Sequence, residues 1–121
     1  MPSSNASEMS PSKIGMTRVG SRTVLTPKGA LTYQNIDVLT NMFNECLGKN
    51  KTEIILDCKT VSFIDSEALE YLFKIHDELK NQGGILKIIN VNAICQDIFI
   101  VTRLINTLHI YEDIHKAIKS G

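Results

Sequence analysis

The sequence predicts a single α/β domain with about four helices. Two short apolar runs, Glu53–Asp57 with its charged ends and Ile85–Ile89, have the pattern of strands covered on both faces. An amphipathic segment at about residues 66–82 lies between them, so strand, helix and strand form a parallel crossover. The 121 residues are enough for one hydrophobic core but not for two independent domains.

The beginning of the chain predicts a tail and then a hairpin. Residues 1–13 are rich in serine and contain two prolines, so we expect a flexible tail, followed by the domain at residues 14–121. Apolar residues at 14–19 and the run at 23–26 flank a Gly-Ser-Arg break, which predicts two strands joined by a turn. Pro27 and Gly29 are expected to end the second strand.

A first helix is predicted after this hairpin. Thr32 is a suitable N-cap residue, and the apolar residues Ile36, Leu39 and Phe43 recur at helical spacing. Gly48 can adopt the left-handed conformation that ends many helices, so the helix is expected to stop there.

The second half of the chain supplies the remaining elements. The helix at about 66–82 is ended by a glycine pair, and one of its faces is predicted to be buried: Ala68, Leu69, Leu72, Ile75, His76 and Leu79. After the second buried strand, the pattern predicts a helix at about 93–103, an edge strand at 108–111 and a last helix at about 112–119.

Composition excludes several classes of function. Thirteen basic and thirteen acidic residues give a net charge of zero, without the basic excess that nucleic-acid binding requires. The apolar runs are far shorter than the ~20 residues of a membrane span, and no signal peptide is recognisable. We therefore expect a cytoplasmic protein that neither binds nucleic acid nor inserts into a membrane.

The chain also lacks the motifs of common metal sites and enzymes. Its three cysteines form no CxxC pair, so buried free thiols are expected. Its three histidines are isolated, and His109 and His115 are six residues apart, on different faces of any helix. Phosphate-binding loops and nucleophile elbows are missing from the sequence. Neither a metal nor a cofactor is expected.

One segment carries a family resemblance. The stretch at residues 55–69, Ile-Leu-Asp-Cys-Lys-Thr-Val-Ser-Phe-Ile-Asp-Ser-Glu-Ala-Leu, resembles the signature of the STAS family, the domain of bacterial anti-sigma factor antagonists. The run 25–31 with Gly29 resembles the end of that family's second strand. Thr102-Arg103-Leu104 and the later Leu-His-Ile-Tyr at 108–111 resemble its closing motif. The resemblance extends from Ile14 to about Lys119.

The resemblance implies a small mixed β-sheet with helices packed against it, and a role in binding rather than in catalysis. Antagonists of this family dock on a serine kinase that is also an anti-sigma factor, and phosphorylation two residues after the signature aspartate ends the capture. Other members of the family are signalling scaffolds or accessory parts of membrane transporters. A scaffold or accessory role of this kind is therefore the alternative function for this chain. The implied binding or regulatory residues are Asp65, Ser66, Glu67 and Ala68.

The sequence departs from the family pattern where regulation occurs. The acceptor position is Glu67, which has no hydroxyl to phosphorylate, and Ala68 replaces the usual glycine. A second glycine of the pattern is replaced by Arg103. Ser66 is a candidate substitute acceptor, one position early.

The residues themselves allow two interpretations of the same segment. Asp65 is placed to cap a helix, and Glu67 in the first turn is favoured by the helix dipole, so the segment can be simply a well-formed helix start. Residues 65–78 hold five carboxylates against one lysine, a local net charge of −4, which can steer a basic partner or can be an ordinary solvated face. Acid–base catalysis by the two carboxylates is disfavoured, because side chains two residues apart on a helix point in different directions.

Overall fold

The computed structural model describes residues 14–46 and 52–120. It contains seven strands, four α-helices and one 3₁₀ turn in these residues. The strands are β1 Ile14–Val19, β2 Arg22–Pro27, β3 Gly29–Leu31, β4 Glu53–Asp57, β5 Val61–Ile64, β6 Ile85–Ile89 and β7 His109–Tyr111. The helices are α1 Ile36–Cys46, α2 Ser66–Asn81, α3 Ala93–Val101 and α4 Ile114–Lys119, and the 3₁₀ turn is Leu104–Asn106. The predicted α/β class is confirmed.

The main sheet has five strands in the order β1-β2-β4-β6-β7. The hairpin of β1 and β2 is antiparallel, and all other neighbours in the sheet are parallel. The strand β4 therefore lies at the centre and β7 at an edge, as the sequence predicted. Ile54, Ile55 and Leu56 on β4 are fully buried, which explains the uninterrupted apolar run.

A second, two-stranded sheet was not predicted. From the sequence, the second strand was expected to end at Pro27 and Gly29, and no further strand was predicted there. In the structure, Gly29–Leu31 forms the strand β3 and pairs in parallel with β5. Both strands are only three or four residues long, too short for a recognisable alternation of apolar and polar residues. This small sheet positions the beginning of α2, because β5 leads directly into that helix.

Three helix boundaries differ from the sequence prediction. The first helix begins at Ile36 rather than next to Thr32, because residues 33–35 form a turn. The third helix ends at Val101 instead of Arg103, whose φ of 66° is left-handed and incompatible with continuing the helix. The last helix begins at Ile114, because the Asp113 carboxylate accepts from the amide of Lys116 and caps it there. Gly48 and residues 1–13 lie outside the described residues.

The core lies mainly on the side of the sheet covered by the first three helices. The six positions of α2 that the sequence placed on its buried face are all buried, which confirms that prediction. A smaller apolar cluster of Val24, Ile55, Ile89 and Ala117 lies under α4. Beside it, the buried ammonium of Lys87 lies 3.1 Å from a carboxylate oxygen of Glu53 and donates to the carbonyl oxygen of Ala117. This charge is paired and hydrogen-bonded, as a buried lysine requires.

Candidate functional site

The candidate site is the junction between β5 and α2, and Asp65 organises it. One carboxylate oxygen of Asp65 accepts from the amide of Ala68 at 2.9 Å, which is the N-cap bond that the sequence predicted. The other oxygen accepts from the amide of Tyr33 at 2.9 Å, in the turn before α1. The backbone amide of Asp65 donates to the carbonyl oxygen of Leu31 on β3 at 3.0 Å. Asp65 therefore joins two segments that are distant in the sequence.

These bonds bear on the chemistry that Asp65 can perform. Both of its carboxylate oxygens are engaged by backbone donors, and the carboxylate is part of the scaffold that fixes the first turn of α2. A general base needs a carboxylate oxygen directed at a substrate proton. The arrangement suits structural support of a binding surface better than proton transfer.

The residues after Asp65 divide between solvent and core. The side chains of Ser66 and Glu67 are exposed, whereas Ala68 is fully buried in the main core. Of the four predicted site residues, only Ser66 and Glu67 are thus fully available to a partner. Ala68 sets how closely the first turn approaches the core, so a larger side chain there would push α2 outward.

A shallow groove lies beside the start of α2. It has a volume of about 320 Å³ and is lined by Ser66, Leu69, Glu70, Phe73, Thr102 and Leu104. The ring of Phe73 is 36% exposed. One wall therefore comes from α2 and the other from the segment after α3, where the sequence resembles the closing motif of the family.

Several exposed apolar side chains near this junction were not singled out from the sequence. Tyr33 is 61% exposed, and its amide is hydrogen-bonded to Asp65 at the start of α2. Phe63 is 45% exposed and belongs to β5, which leads into that helix. On α3, Ile100 and Val101 are exposed. Phe73 lies off the predicted buried face of α2, and this position is the sequence signal that could have identified it as a surface residue.

The cysteines and histidines were judged from spacing alone. Cys46, Cys58 and Cys95 are buried, as predicted. Burial also raises the pKa of the Cys58 thiol far above its usual value.

Within residues 14–46 and 52–120, no group of three or more potential ligands is arranged to hold a metal ion. In the same ranges, no helix is both long and apolar enough to cross a bilayer.

Comparisons with known proteins identify the family. A model of the STAS domain matches residues 13–117, and the chain therefore belongs to the STAS family. Among curated proteins, none matches the chain significantly.

Solved structures show the same fold. An anti-sigma factor antagonist assigned in Thermotoga maritima is 25% identical with a TM-score of 0.80, and the match covers 88% of this chain and 92% of that one. An anti-sigma factor antagonist from Mycobacterium paratuberculosis is 15% identical with a TM-score of 0.79, covering 88% and 91%. The murine anion transporter Slc26a9 is 18% identical over 84% of this chain and 18% of its own, with a TM-score of 0.69. The chain thus resembles anti-sigma factor antagonists over nearly their whole length.

Proposed function

We propose that this chain is a non-enzymatic antagonist that binds a kinase-type anti-sigma factor in the cytoplasm through the start of α2. The observation that carries the proposal is a pair of hydrogen bonds. The carboxylate of Asp65 accepts them from the amides of Ala68 and Tyr33, and they hold the first turn of α2 in place. The exposed Ser66 and Glu67 are thereby presented on a rigid support. Rigid presentation lowers the entropy lost on binding, which favours a protein-binding surface.

The chemistry of this surface indicates the kind of partner. Its apolar contribution comes from exposed rings such as Phe63 and Phe73, and its charge comes from the carboxylates of Glu67 and Glu70. A complementary partner surface would combine apolar side chains with basic ones. We therefore propose that basic residues of the anti-sigma factor lie opposite the first turn of α2.

Glu67 places a permanent negative charge at the position where a phosphate ends capture in the family. A phosphoserine carries about −1.5 to −2 charges and glutamate carries one, so Glu67 places part of that charge permanently at the helix start. Two outcomes follow, because phosphate at this position ends capture in the family. Either a typical kinase does not capture this chain, as it does not capture a phosphorylated antagonist, or the partner has a matching basic pocket and the interaction is constitutive. We propose the second, in which a basic pocket of the partner accepts Glu67. Ser66 is a poor substitute acceptor, because one residue along a helix rotates the side chain by about 100°.

The test is a comparison of captured proteins. The immobilised full chain is incubated with lysate of the source bacterium, and the retained proteins are identified by mass spectrometry and then rebound in purified form. Two charge reversals are compared, Glu67→Lys at the site and Glu45→Lys at an exposed position of α1. We expect the wild type and Glu45→Lys to retain a kinase-type anti-sigma factor, and Glu67→Lys to lose at least ten-fold in affinity.

Two results would contradict the proposal. One is that no kinase-like or sigma-regulatory protein is retained, and the other is that Glu67→Lys binds as well as the wild type. A chain that acts instead as a signalling scaffold or as an accessory of a membrane transporter would co-purify with membranes or form a large homo-oligomer in light scattering. The folded state of each variant is checked by circular dichroism, so that loss of binding is not loss of fold.

A further inference from the structure

A cavity of about 750 Å³ lies at the carboxyl ends of three neighbouring parallel strands, β4, β6 and β7. Lys59 follows β4, Asn90 follows β6 and Glu112 follows β7, and all three residues line the cavity. Open α/β sheets bind ligands outside the carboxyl ends of their strands, in cavities of roughly 300–1,000 Å³. The cavity shares no lining residue with the groove beside α2, so it is separate from the proposed partner-binding surface.

The backbone of Asn90 has an unusual conformation in the wall of this cavity. Its φ of 59° lies in the left-handed region, which few residues other than glycine adopt. Its backbone amide donates to the carbonyl oxygen of Glu112 at 3.3 Å, and its side-chain amide donates to a carboxylate oxygen of Asp57 at 3.0 Å. Residues held in rare backbone conformations cluster at ligand sites, because the conformation fixes the wall before the ligand arrives. Asn90 therefore points to a preorganised binding site.

The lining combines apolar side chains with unused hydrogen-bonding groups. Val91, Ile105 and Ile110 are half-buried and form much of its apolar part. Within residues 14–46 and 52–120, no hydrogen bond uses the side-chain amide of Gln96 or the hydroxyl of Tyr111, and both residues line the cavity. A ligand that fits this lining has an apolar body and a polar group that both donates and accepts hydrogen bonds.

The charges that line the cavity cancel. Among the described residues, its charged lining consists of Lys59 and Glu112, and each has a partner of its own within the protein. The ammonium of Lys59 lies 4.0 Å from a carboxylate oxygen of Asp57, and Glu112 forms an ion pair with Lys116. An anion in the cavity would be repelled by Glu112, and a cation would be repelled by Lys59. The charge pattern therefore favours a neutral ligand.

We propose that this cavity binds a small uncharged amide with an apolar body. A neutral amide group donates and accepts at once, as the side-chain amide of Gln96 does, so the two groups can pair. The apolar body packs on Val91, Ile105 and Ile110. Because the ligand carries no charge, Lys59 and Glu112 keep their own ion pairs when it binds. The site does not depend on the partner of the start of α2, and either proposal can fail without the other.

The experiment compares three indole derivatives of similar size that differ in charge: indole-3-acetamide is neutral, indole-3-acetate is an anion and tryptamine is a cation. The chain contains no tryptophan, so indole fluorescence reports the ligand alone. The fluorescence anisotropy of each ligand is followed at pH 7 while the full chain is added. We expect the neutral amide to bind about ten-fold more tightly than either charged derivative. Equal affinities of the three derivatives would overturn the proposal.

Two glutamine variants and nuclear magnetic resonance locate the site. Gln96→Ala removes the pairing amide at an exposed position and should weaken the binding of indole-3-acetamide about five-fold. Gln34→Ala is the matched control, because Gln34 is an exposed glutamine in the turn before α1, and it should bind as the wild type does. In ¹H–¹⁵N spectra, indole-3-acetamide should shift the backbone amide of Val91 and leave that of Met16 on β1 unchanged. The proposal fails if Gln96→Ala keeps full affinity, if the shifts lie away from the cavity, or if millimolar indole-3-acetamide shows no binding.

Discussion

Replacing Asp65 by alanine measures how firmly the start of α2 is held. The substitution removes the N-cap bond to Ala68, which contributes about 1 kcal/mol in most helices. It also removes the bond to the amide of Tyr33, a hydrogen bond to a charged group worth about 1.5 kcal/mol at the low end of its range, since this bond is exposed. We therefore expect Asp65→Ala to lower the free energy of unfolding by about 2–3 kcal/mol.

The matched control is Asp113→Ala at the start of α4. Asp113 has the same residue type and capping position, but its side chain makes one capping bond, to the amide of Lys116, so about 1 kcal/mol is expected. Both variants are unfolded in urea and followed by circular dichroism at pH 7. Asp65→Asn retains a single carbonyl oxygen and should fall between Asp65→Ala and the wild type. Equal losses for Asp65→Ala and Asp113→Ala would show that the bond to Tyr33 adds nothing and that Asp65 is an ordinary cap.

Three further predictions concern the core, the acceptor position and the thiols. Leu72→Ala should cost about 2–5 kcal/mol in urea unfolding because it opens a cavity, whereas Lys74→Ala on the exposed face should cost little; similar small losses would mean that α2 packs on another face. The native chain should not be phosphorylated efficiently near Glu67, whereas Glu67→Ser, incubated with a cognate-type kinase and ATP, should gain a phosphate that mass spectrometry detects. Stoichiometric phosphate on Ser66 of the native chain would refute this. Ellman's reagent should label no thiol in the native protein and three thiols in denaturant. The reason is that all three cysteines are buried and that burial raises the pKa of the Cys58 thiol. Rapid labelling of the native protein would show that the core opens.

Most of the fold was predictable because its central elements have strong local patterns. The apolar run of β4 and the amphipathic face of α2 each encode their burial within a few residues, and both predictions are confirmed. The strand β3 was missed because three residues are too few for a pattern, and its pairing with β5 is a tertiary effect. The start of α1 was placed too early, since a turn at residues 33–35 separates Thr32 from the helix.

The candidate site was predictable only in part. Capping by Asp65 follows from a local rule, whereas its second bond joins it to Tyr33, and no local pattern connects the two positions. The contact between the rings of His76 and His109, whose centroids are 5.5 Å apart, has the same origin: α2 and β7 meet only after the sheet has formed. Short-range periodicity predicts which side chains are buried, but it does not predict which distant side chains meet.

The bond between Asp65 and Tyr33 also has a consequence for how relatives of this protein diverge. Because the turn at residues 33–35 shares the carboxylate that fixes α2, substitutions in that turn can alter the direction of the helix start while Ser66 and Glu67 stay the same. In a cell with several such proteins, substitutions in this turn could then prevent one paralogue from binding another's partner, although Ser66 and Glu67 are unchanged. Specificity in this family would have to be read from two stretches of sequence at once.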